Sequence, residues 1–506
     1  MSPVEWGVQV DSSGPVVLSS QPVLGAGDQP LNTTVTLHFN EPLAPASVNA
    51  STIRLFDALG NTVPASVSMP DSSSVLVTPV QPLARAGRYF VQLTQGVADL
   101  QGNFVLESAF VADFFTVQGN LSAPAKLAGA TGRGLAKGDF NGDGRVDLLT
   151  IADGVAPDVS SFNIFLQNAS GGFDAPLRRD TPARSDCVDT AGFVQAGDID
   201  GDGRVDIIST RGTCGVEVAY QGSDGQFSRT DLLGAAGAFA LADLDGDGRL
   251  DVVGSAFAGE QVSLWRQQAD GSWIAEQVPL FTNGFGTLAV GDLNGDGRPD
   301  LVLTSGQGDL TRTLGVSYQQ PDGSFAVPQY RSDGVFNRAA TIGDLDGDGR
   351  LDLLLATPDV QGLRWFRQQA DGSLAEPVVI AGFGDAEQLQ VADLDGDGRA
   401  DIVFGLNGFA PFVVVHWQGV GGSFSAPQNF RAGLPPVSLS LVVADLNGDG
   451  RLDVGLTGPV LLLNNGSPVT PASAGQAAAN AAVTVSRKTQ GWRQAIQQIK
   501  PLRLTR

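Results

Sequence analysis

The stretch Asp139-Phe-Asn-Gly-Asp-Gly-Arg-Val-Asp147 recurs with small changes six more times, beginning at Asp198, Asp243, Asp292, Asp344, Asp393 and Asp445. The first and last copies start 306 residues apart, a mean spacing of 51. Repetition on that scale points to an architecture of repeated supersecondary units. Positions 1, 3, 5 and 9 of every copy are Asp or Asn, and positions 4 and 6 are always Gly. Carboxylate and amide oxygens are hard ligands, the kind Ca²⁺ gathers in sets of about six to eight. Glycine lets the backbone wrap tightly around an ion.

Position 7 is Arg in every copy; its backbone carbonyl is the expected ligand, with the side chain pointing outward and softening the negative charge. The candidate metal set is therefore Asp139, Asn141, Asp143, Arg145 and Asp147 in loop 1, and Asp198, Asp200, Asp202, Arg204 and Asp206 in loop 2. Loop 3 gives Asp243, Asp245, Asp247, Arg249 and Asp251; loop 4 gives Asp292, Asn294, Asp296, Arg298 and Asp300. Loop 5 gives Asp344, Asp346, Asp348, Arg350 and Asp352; loop 6 gives Asp393, Asp395, Asp397, Arg399 and Asp401. Loop 7 gives Asp445, Asn447, Asp449, Arg451 and Asp453. About seven Ca²⁺ ions are expected, and Mg²⁺ fits less well because it keeps more of its water. An EF-hand needs Glu at position 12 and flanking helices. Position 12 here is Thr150, Ser209, Gly254, Leu303, Leu355, Phe404 or Leu456, and the flanks read as strands, as in Asp401-Ile-Val-Phe404.

Each repeat has the same order of parts. A short apolar run enters the acidic loop and a β-rich run leaves it. A third run ends in an aromatic residue and Gln, as in Val216–Gln221, Val262–Gln267, Leu363–Gln368 and Val413–Gln418. A Gly-containing turn such as Asp270-Gly271 then signals a hairpin, and a fourth run starts at Phe or a similar residue, as in Phe325-Ala-Val-Pro328. Four short antiparallel strands, seven times over, predict an all-β fold with a seven-bladed β-propeller. The last repeat has no clear fourth strand, and Leu121-Ser-Ala-Pro-Ala-Lys-Leu127 resembles Phe424-Ser-Ala-Pro-Gln428. The early strand is expected to complete the last blade, which removes exposed sheet edges.

These motifs resemble the FG-GAP/VCBS repeat family, the propellers of integrin α-subunit type, over about residues 118–466. The resemblance implies that the acidic loop joins the first two strands of a blade and binds Ca²⁺ on one face. It also implies that ligands use the opposite face. Loops expected there carry Phe285, Phe336, Phe383, Phe257, Phe409, Phe412, Arg312 and Asp359. Such aromatics can anchor a partner or plug the blade tops.

After an N-terminal segment, 1–12, residues 13–117 contain no acidic repeat and alternate in β fashion in Thr34–Phe39, Thr52–Phe56, Ser74–Thr78 and Tyr89–Leu93. About 100 residues of short strands suit an immunoglobulin-like β-sandwich. Phe39-Asn-Glu-Pro42 and Gly96-Val-Ala-Asp-Leu-Gln-Gly-Asn103 are similar to bacterial Ig-like domains of the surface-layer type (Big_5/SbsA-like), which implies a spacer or presentation module.

The formal net charge is −23, and the loops hold 25 of the 54 acidic residues. Seven Ca²⁺ would leave about −9, so the acidity reflects metal sites. No basic stripe lies in the folded part, which argues against nucleic acid as a partner. The tail, 467–506, is Ala-rich and then basic, with Arg487, Lys488, Arg493, Lys500, Arg503 and Arg506. It is expected to be loose, or to contact a partner or an anionic surface. Met1-Ser-Pro-Val-Glu-Trp-Gly-Val shows no secretory apolar region, and no segment is long and apolar enough to span a membrane as a helix.

Cys187 and Cys214 are expected in loops on one face of blade two, close enough for a disulfide. A bridge would place the protein in an oxidising compartment, as would the calcium that loops of this open kind need. His38 and His416 lie in strand-like runs and are expected to pack rather than catalyse. The expectation is a non-enzymatic, exported recognition or adhesion protein at the bacterial surface, binding a protein or glycan. The alternative is a lectin, or a secreted polysaccharide lyase or hydrolase, built on the propeller.

Overall fold

The computed structural model describes residues 13–466 except 58–59, 85–86, 107, 117–120, 130–131, 153–158, 184–192, 212–213, 235–237, 256–261, 279–286, 305–312, 332–336, 358–361, 383–385, 407–411, 420–421 and 433–439. Regular structure among the described residues is β-strand apart from one short 3-10 turn, Pro45–Ser47. The chain divides into two compact units between Gly119 and Asn120.

The first unit is a sandwich of two sheets. One runs in the order Val17–Gln21, Val35–Phe39, Ser74–Pro79, Ala65–Asp71. The other runs Ala26–Gln29, Ala109–Thr116, Arg88–Leu93, Ile53–Asp57, Thr62–Val63. Alternation sends Val35, Leu37, Val75 and Val77 of one sheet and Leu55, Val91 and Phe114 of the other into a single core. The same alternation turns His38 outward. Contrary to the packing role expected for it, its ring is exposed and bonds Ser74 Oγ through Nδ1 at 2.9 Å.

Among its described residues the second unit holds seven four-stranded antiparallel sheets. In repeat 1 the strands are Arg133–Gly138, Asp147–Ile151, Ser161–Phe165 and Leu177–Asp180, paired in chain order. Repeats 2 to 5 keep that order, and repeat 6 inserts a small hairpin, Gln418–Gly419 with Ser423–Phe424, before its fourth strand. Repeat 7 supplies Leu441–Ala444, Asp453–Leu456 and Val460–Leu462, and takes Ala125–Lys126 as its fourth strand. Ser122 N donates to Leu463 O at 2.7 Å and Leu127 N to Pro459 O at 2.9 Å.

Outside repeat 3, where the strand begins at Trp273 as expected, fourth strands start later than the sequence suggests. Phe325 makes only an isolated bridge to Gln319, and the strand proper is Gln329–Arg331. Pro328 has no N–H to give to a ladder, so pairing resumes one residue after it. Leu121 makes the equivalent bridge to Asn464, again with a proline, Pro124, before the strand.

First strands of neighbouring repeats pack side by side at six junctions, that of repeats 1 and 7 included, and less closely between repeats 2 and 3. Apolar clusters lie between sheets. Ile164 and Phe162 of repeat 1 meet Ile207 and Phe227 of repeat 2, and Leu135 and Leu148 of repeat 1 meet Val442 and Leu446 of repeat 7. The unit is a β-propeller in which every four-stranded sheet carries one acidic loop between its first two strands.

Candidate metal centre

Each acidic loop is shaped by its own side chains. In loop 1, Gly142 and Gly144 take φ values of 74° and 81°, left-handed angles that glycine adopts without steric cost. The turn aims amides inward. Asp139 Oδ1 accepts from Gly142 N at 2.8 Å and Asp143 N at 3.1 Å, and its Oδ2 accepts from Gly144 N at 2.7 Å. The bonds from the fifth and sixth amides to the first Asp recur in all seven loops.

The ninth residue plays a different part. Asp147, Asp206, Asp300, Asp352, Asp401 and Asp453 are fully buried, and Asp251 is nearly so. One oxygen accepts the amide at loop position 2, as Phe140 N to Asp147 Oδ2 at 2.8 Å, and the other accepts the amide of a Gln or Asn at the end of the third strand or within two residues of it, as Gln167 N at 2.8 Å. The pair is present in every repeat. Burial pushes the carboxyl groups of Asp147, Asp206, Asp251, Asp300 and Asp453 up to about 6, and that of Asp401 to about 7. Neighbouring loop carboxylates add to the rise. A cation in the loop would offset both effects.

The outward arginine expected at position 7 is not what the structure shows. Arg145 bends back so that Nε donates to Gln167 O at 2.9 Å, while its Nη2 pairs with Asp143 Oδ2. All seven loops do the same. A guanidinium presents several donors in one fixed plane, so one group holds a carboxylate and a carbonyl together.

Among the described residues, four loops bring three carboxylates within 4.8 Å: Asp198, Asp200 and Asp206; Asp243, Asp245 and Asp251; Asp344, Asp346 and Asp348; Asp393, Asp395 and Asp401. Like charges at that distance repel by about 1 kcal/mol in water and about 3 kcal/mol near a protein surface. Two oxygens of these groups, Asp200 Oδ1 and Asp346 Oδ1, are buried without a hydrogen-bond donor. A carboxylate oxygen in that position needs a cation or a proton donor, so the residues present fit a hard metal ion. The four loops are those with Asp at position 3; loops 1, 4 and 7 carry Asn there. In loop 5 the Trp365 indole takes Asp352 Oδ2 at 2.9 Å, and the trio there uses Asp348 in place of the ninth residue.

This Gln or Asn at the third strand's end has a role its recurrence did not reveal. In six repeats its side-chain amide reaches the acidic loop of the preceding repeat. Gln221 Nε2 donates to Phe140 O at 2.9 Å, Gln319 to Leu244 O at 2.6 Å and Gln368 to Asp292 O at 3.2 Å. Gln167 reaches Asp445 O at 3.3 Å, Gln418 reaches Leu345 O, and Asn464 reaches Leu394 O at 2.5 Å.

Cys214 sits between the second and third strands of repeat 2 and is disulfide-bonded. The chain's other cysteine, Cys187, lies outside the described residues. So do Phe257, Phe285, Arg312, Phe336, Asp359, Phe383 and Phe409, the side chain of Phe412, and the basic tail. His416 is fully buried and stacks on Phe404 with ring centroids 5.9 Å apart. No helix among the described residues is long and apolar enough to cross a membrane.

A model of the bacterial Ig-like domain matches residues 11–116. A model of the FG-GAP-like repeat matches 139–209, 198–254, 243–303 and 344–404, and one of the FG-GAP repeat matches 285–327. No curated protein matches. Solved structures with some likeness include a protein from Lactobacillus plantarum, at 14% identity over 75% of this chain and 97% of that one, TM-score 0.39. A quinonprotein alcohol dehydrogenase-like protein from Bacteroides thetaiotaomicron is similar at 9% identity over 83% and 97%, TM-score 0.37. CopC from Methylosinus trichosporium OB3b aligns at 18% identity over 21% of this chain and 94% of its own, TM-score 0.18. The loop series, the sheet order and the preceding sandwich agree with the family models: the chain is an FG-GAP repeat protein with an N-terminal bacterial Ig-like domain.

Proposed function

We propose that this is an exported, calcium-stabilised recognition or adhesion protein without enzymatic activity, its seven sheets forming the blades of one closed ring. The observation that carries the metal reading is the packing of three carboxylates within 4.8 Å in four loops, with Asp200 Oδ1 and Asp346 Oδ1 buried and lacking a donor. An all-oxygen donor set favours Ca²⁺ over softer transition metals. Side chains at positions 1, 3, 5 and 9 and the position-7 carbonyl would hold it. Loops 2, 3, 5 and 6, with one more charge each, fill first.

The role outside the cell rests on the domain types and on the Cys214 disulfide, which persists in oxidising compartments. The sandwich serves as a spacer. A protein or glycan binds the propeller face away from the metal loops, with calcium acting by stiffening the blades.

The experiment has two arms. Metal analysis of the purified full chain should find several calcium ions per molecule, removable by EGTA. A glycan array and capture from surface extract, each run in calcium and in EGTA, should give a signal only in calcium. A chain without bound calcium at saturating supply rules out the metal reading. Binding that ignores EGTA rules out calcium-dependent recognition.

A further inference from the structure

The side-chain amides after the third strands join the metal loops into one hydrogen-bonded series. Consider the junction of repeats 4 and 5. Gln368 donates its side-chain amide to Asp292 O in loop 4, its backbone N–H to Asp352 Oδ1 at 2.8 Å, and its carbonyl accepts Arg350 Nε at 3.1 Å in loop 5. One residue thus grips the backbone of one metal loop and orients two side chains of the next. The hairpin turn of repeat 5 adds a second contact: a Cβ on Gly372 would stand 2.6 Å from Asn294 O. Corresponding clasps link repeats 3 to 4, 5 to 6, 6 to 7, 7 to 1 and 1 to 2.

The junction of repeats 2 and 3 breaks the series. Gln267 holds its own loop normally, with its N–H on Asp251 Oδ1 at 2.9 Å. Its side chain is fully buried, yet neither Nε2 nor Oε1 has a partner. That junction is fastened elsewhere. Trp273 Nε1 donates to Tyr220 OH at 3.1 Å, Tyr220 OH donates to Asp231 Oδ2 at 2.9 Å, and Arg229 Nη2 donates to Gly271 O at 3.1 Å. None of these groups belongs to an acidic loop.

We propose that the amide clasp couples the metal occupancy of adjacent loops. The coupled sites form an open chain that starts at loop 3, runs through 4, 5, 6, 7 and 1, and ends at loop 2. An ion that fixes the backbone of one loop fixes the carbonyl that the clasp grips. The clasp residue is then ordered, and with it the ninth Asp and the Arg of the next loop. Less freedom is left to lose when the second ion binds, which is positive coupling, and it acts equally in both directions. Between loops 2 and 3 no such hydrogen bond is present among the described residues; what remains there is apolar contact, Ile199 of loop 2 beside Val252 and Trp265 and Leu250 of loop 3 beside Gly197, which sets no ligand in place. This inference rests on the calcium reading above.

The test is hydrogen exchange of the loop peptides in the full chain across a calcium titration. In Asp292→Asn, which weakens loop 4, the midpoint of loop 5 should move to about fivefold higher calcium. In Asp198→Asn, which weakens loop 2, the midpoint of loop 3 should not move. Gln368→Leu should shift loops 4 and 5 together, whereas Gln267→Leu, an equally buried change, should leave every midpoint in place. Equal behaviour of the two Gln variants, or an unmoved loop 5 in Asp292→Asn, overturns the coupling while leaving calcium binding intact. Absence of any calcium-dependent protection in the unaltered chain removes both the coupling and the metal reading. The Asp variants need no truncation of the clasp, so the outcome stands even if Gln368→Leu does not fold.

Discussion

The sandwich and the propeller solve the burial of β-strands in opposite ways. The sandwich gathers Val35, Leu37, Val77, Val91, Phe114 and their neighbours into one apolar core. The propeller divides its apolar surface among clusters that each lie between two sheets. It supplements them with polar joints: the buried ninth Asp of each repeat, the partly exposed Arg bent back beside it, and the clasping amide of every repeat but the third. Apolar contact tolerates small errors of placement and responds to no ion. A polar joint in a dry interior demands its partners, so the calcium reading predicts that the propeller depends on solution conditions in a way the sandwich does not.

The largest test of that contrast is chelation. At a hundredfold excess over Kd, one bound ion stabilises the native state by about 2.7 kcal/mol, and several act together. EGTA should lower the propeller transition in calorimetry by about 10 °C or more and leave that of the sandwich in place. A common shift of both would erase the distinction.

Next comes removal of a single polar joint. Asp401→Ala strips the acceptor from Leu394 N and Gln418 N, at 3.0 and 2.8 Å. Two orphaned buried donors cost about 4 kcal/mol, read as a shift of the propeller's denaturant midpoint in calcium. Leu37→Ala is the apolar counterpart. A cavity at this fully buried site should cost about 3 kcal/mol, confined to the sandwich transition, with the metal content unchanged.

The smallest effect concerns acid. Burial lowers the His416 imidazole from 6.5 to about 4. Between those values the unfolded chain carries a proton there that the folded chain refuses, so stability falls as pH drops from 6.5 toward 4. The loss is up to about 2 kcal/mol at pH 5. His416→Phe should show a flatter stability profile over pH 5 to 7 in calcium than the unaltered chain, and a parallel profile would refute the buried neutral imidazole.

The polar joints were also the least legible part of the chain. Acidic loops announce themselves because the same oxygen-bearing residues return at one spacing, and alternating runs such as Val35–Phe39 mark strands because burial follows the pleat. The pairing of Ala125–Lys126 with Val460–Leu462 could be read from the likeness of Leu121–Leu127 to Phe424–Gln428. Edge strands such as Ala65–Asp71 escaped notice because their side chains are half solvated and carry a weak apolar signal. The direction of the seven Arg side chains could not be inferred, since a loop read alone does not show the carbonyl that waits beside it. Gln221, Gln267, Gln368 and Gln418 recur visibly, but the partners of their side chains, or for the Gln267 side chain the lack of one, depend on residues in the preceding sheet. Sequence periodicity describes a unit; contacts between units need the coordinates.

The pairing of Leu463 with Ser122 spans 341 residues. During synthesis the earlier of these segments leaves the ribosome long before the later one exists. Until translation passes repeat 7, its hydrogen-bonding edge has no mate and must be kept from wrong partners, by charge, by solvent or by a chaperone. A chain stopped after repeat 6 would therefore leave Ala125–Lys126 without its partner strand and the apolar residues Leu135 and Leu148 of repeat 1 uncovered, and would be prone to join with a second truncated copy.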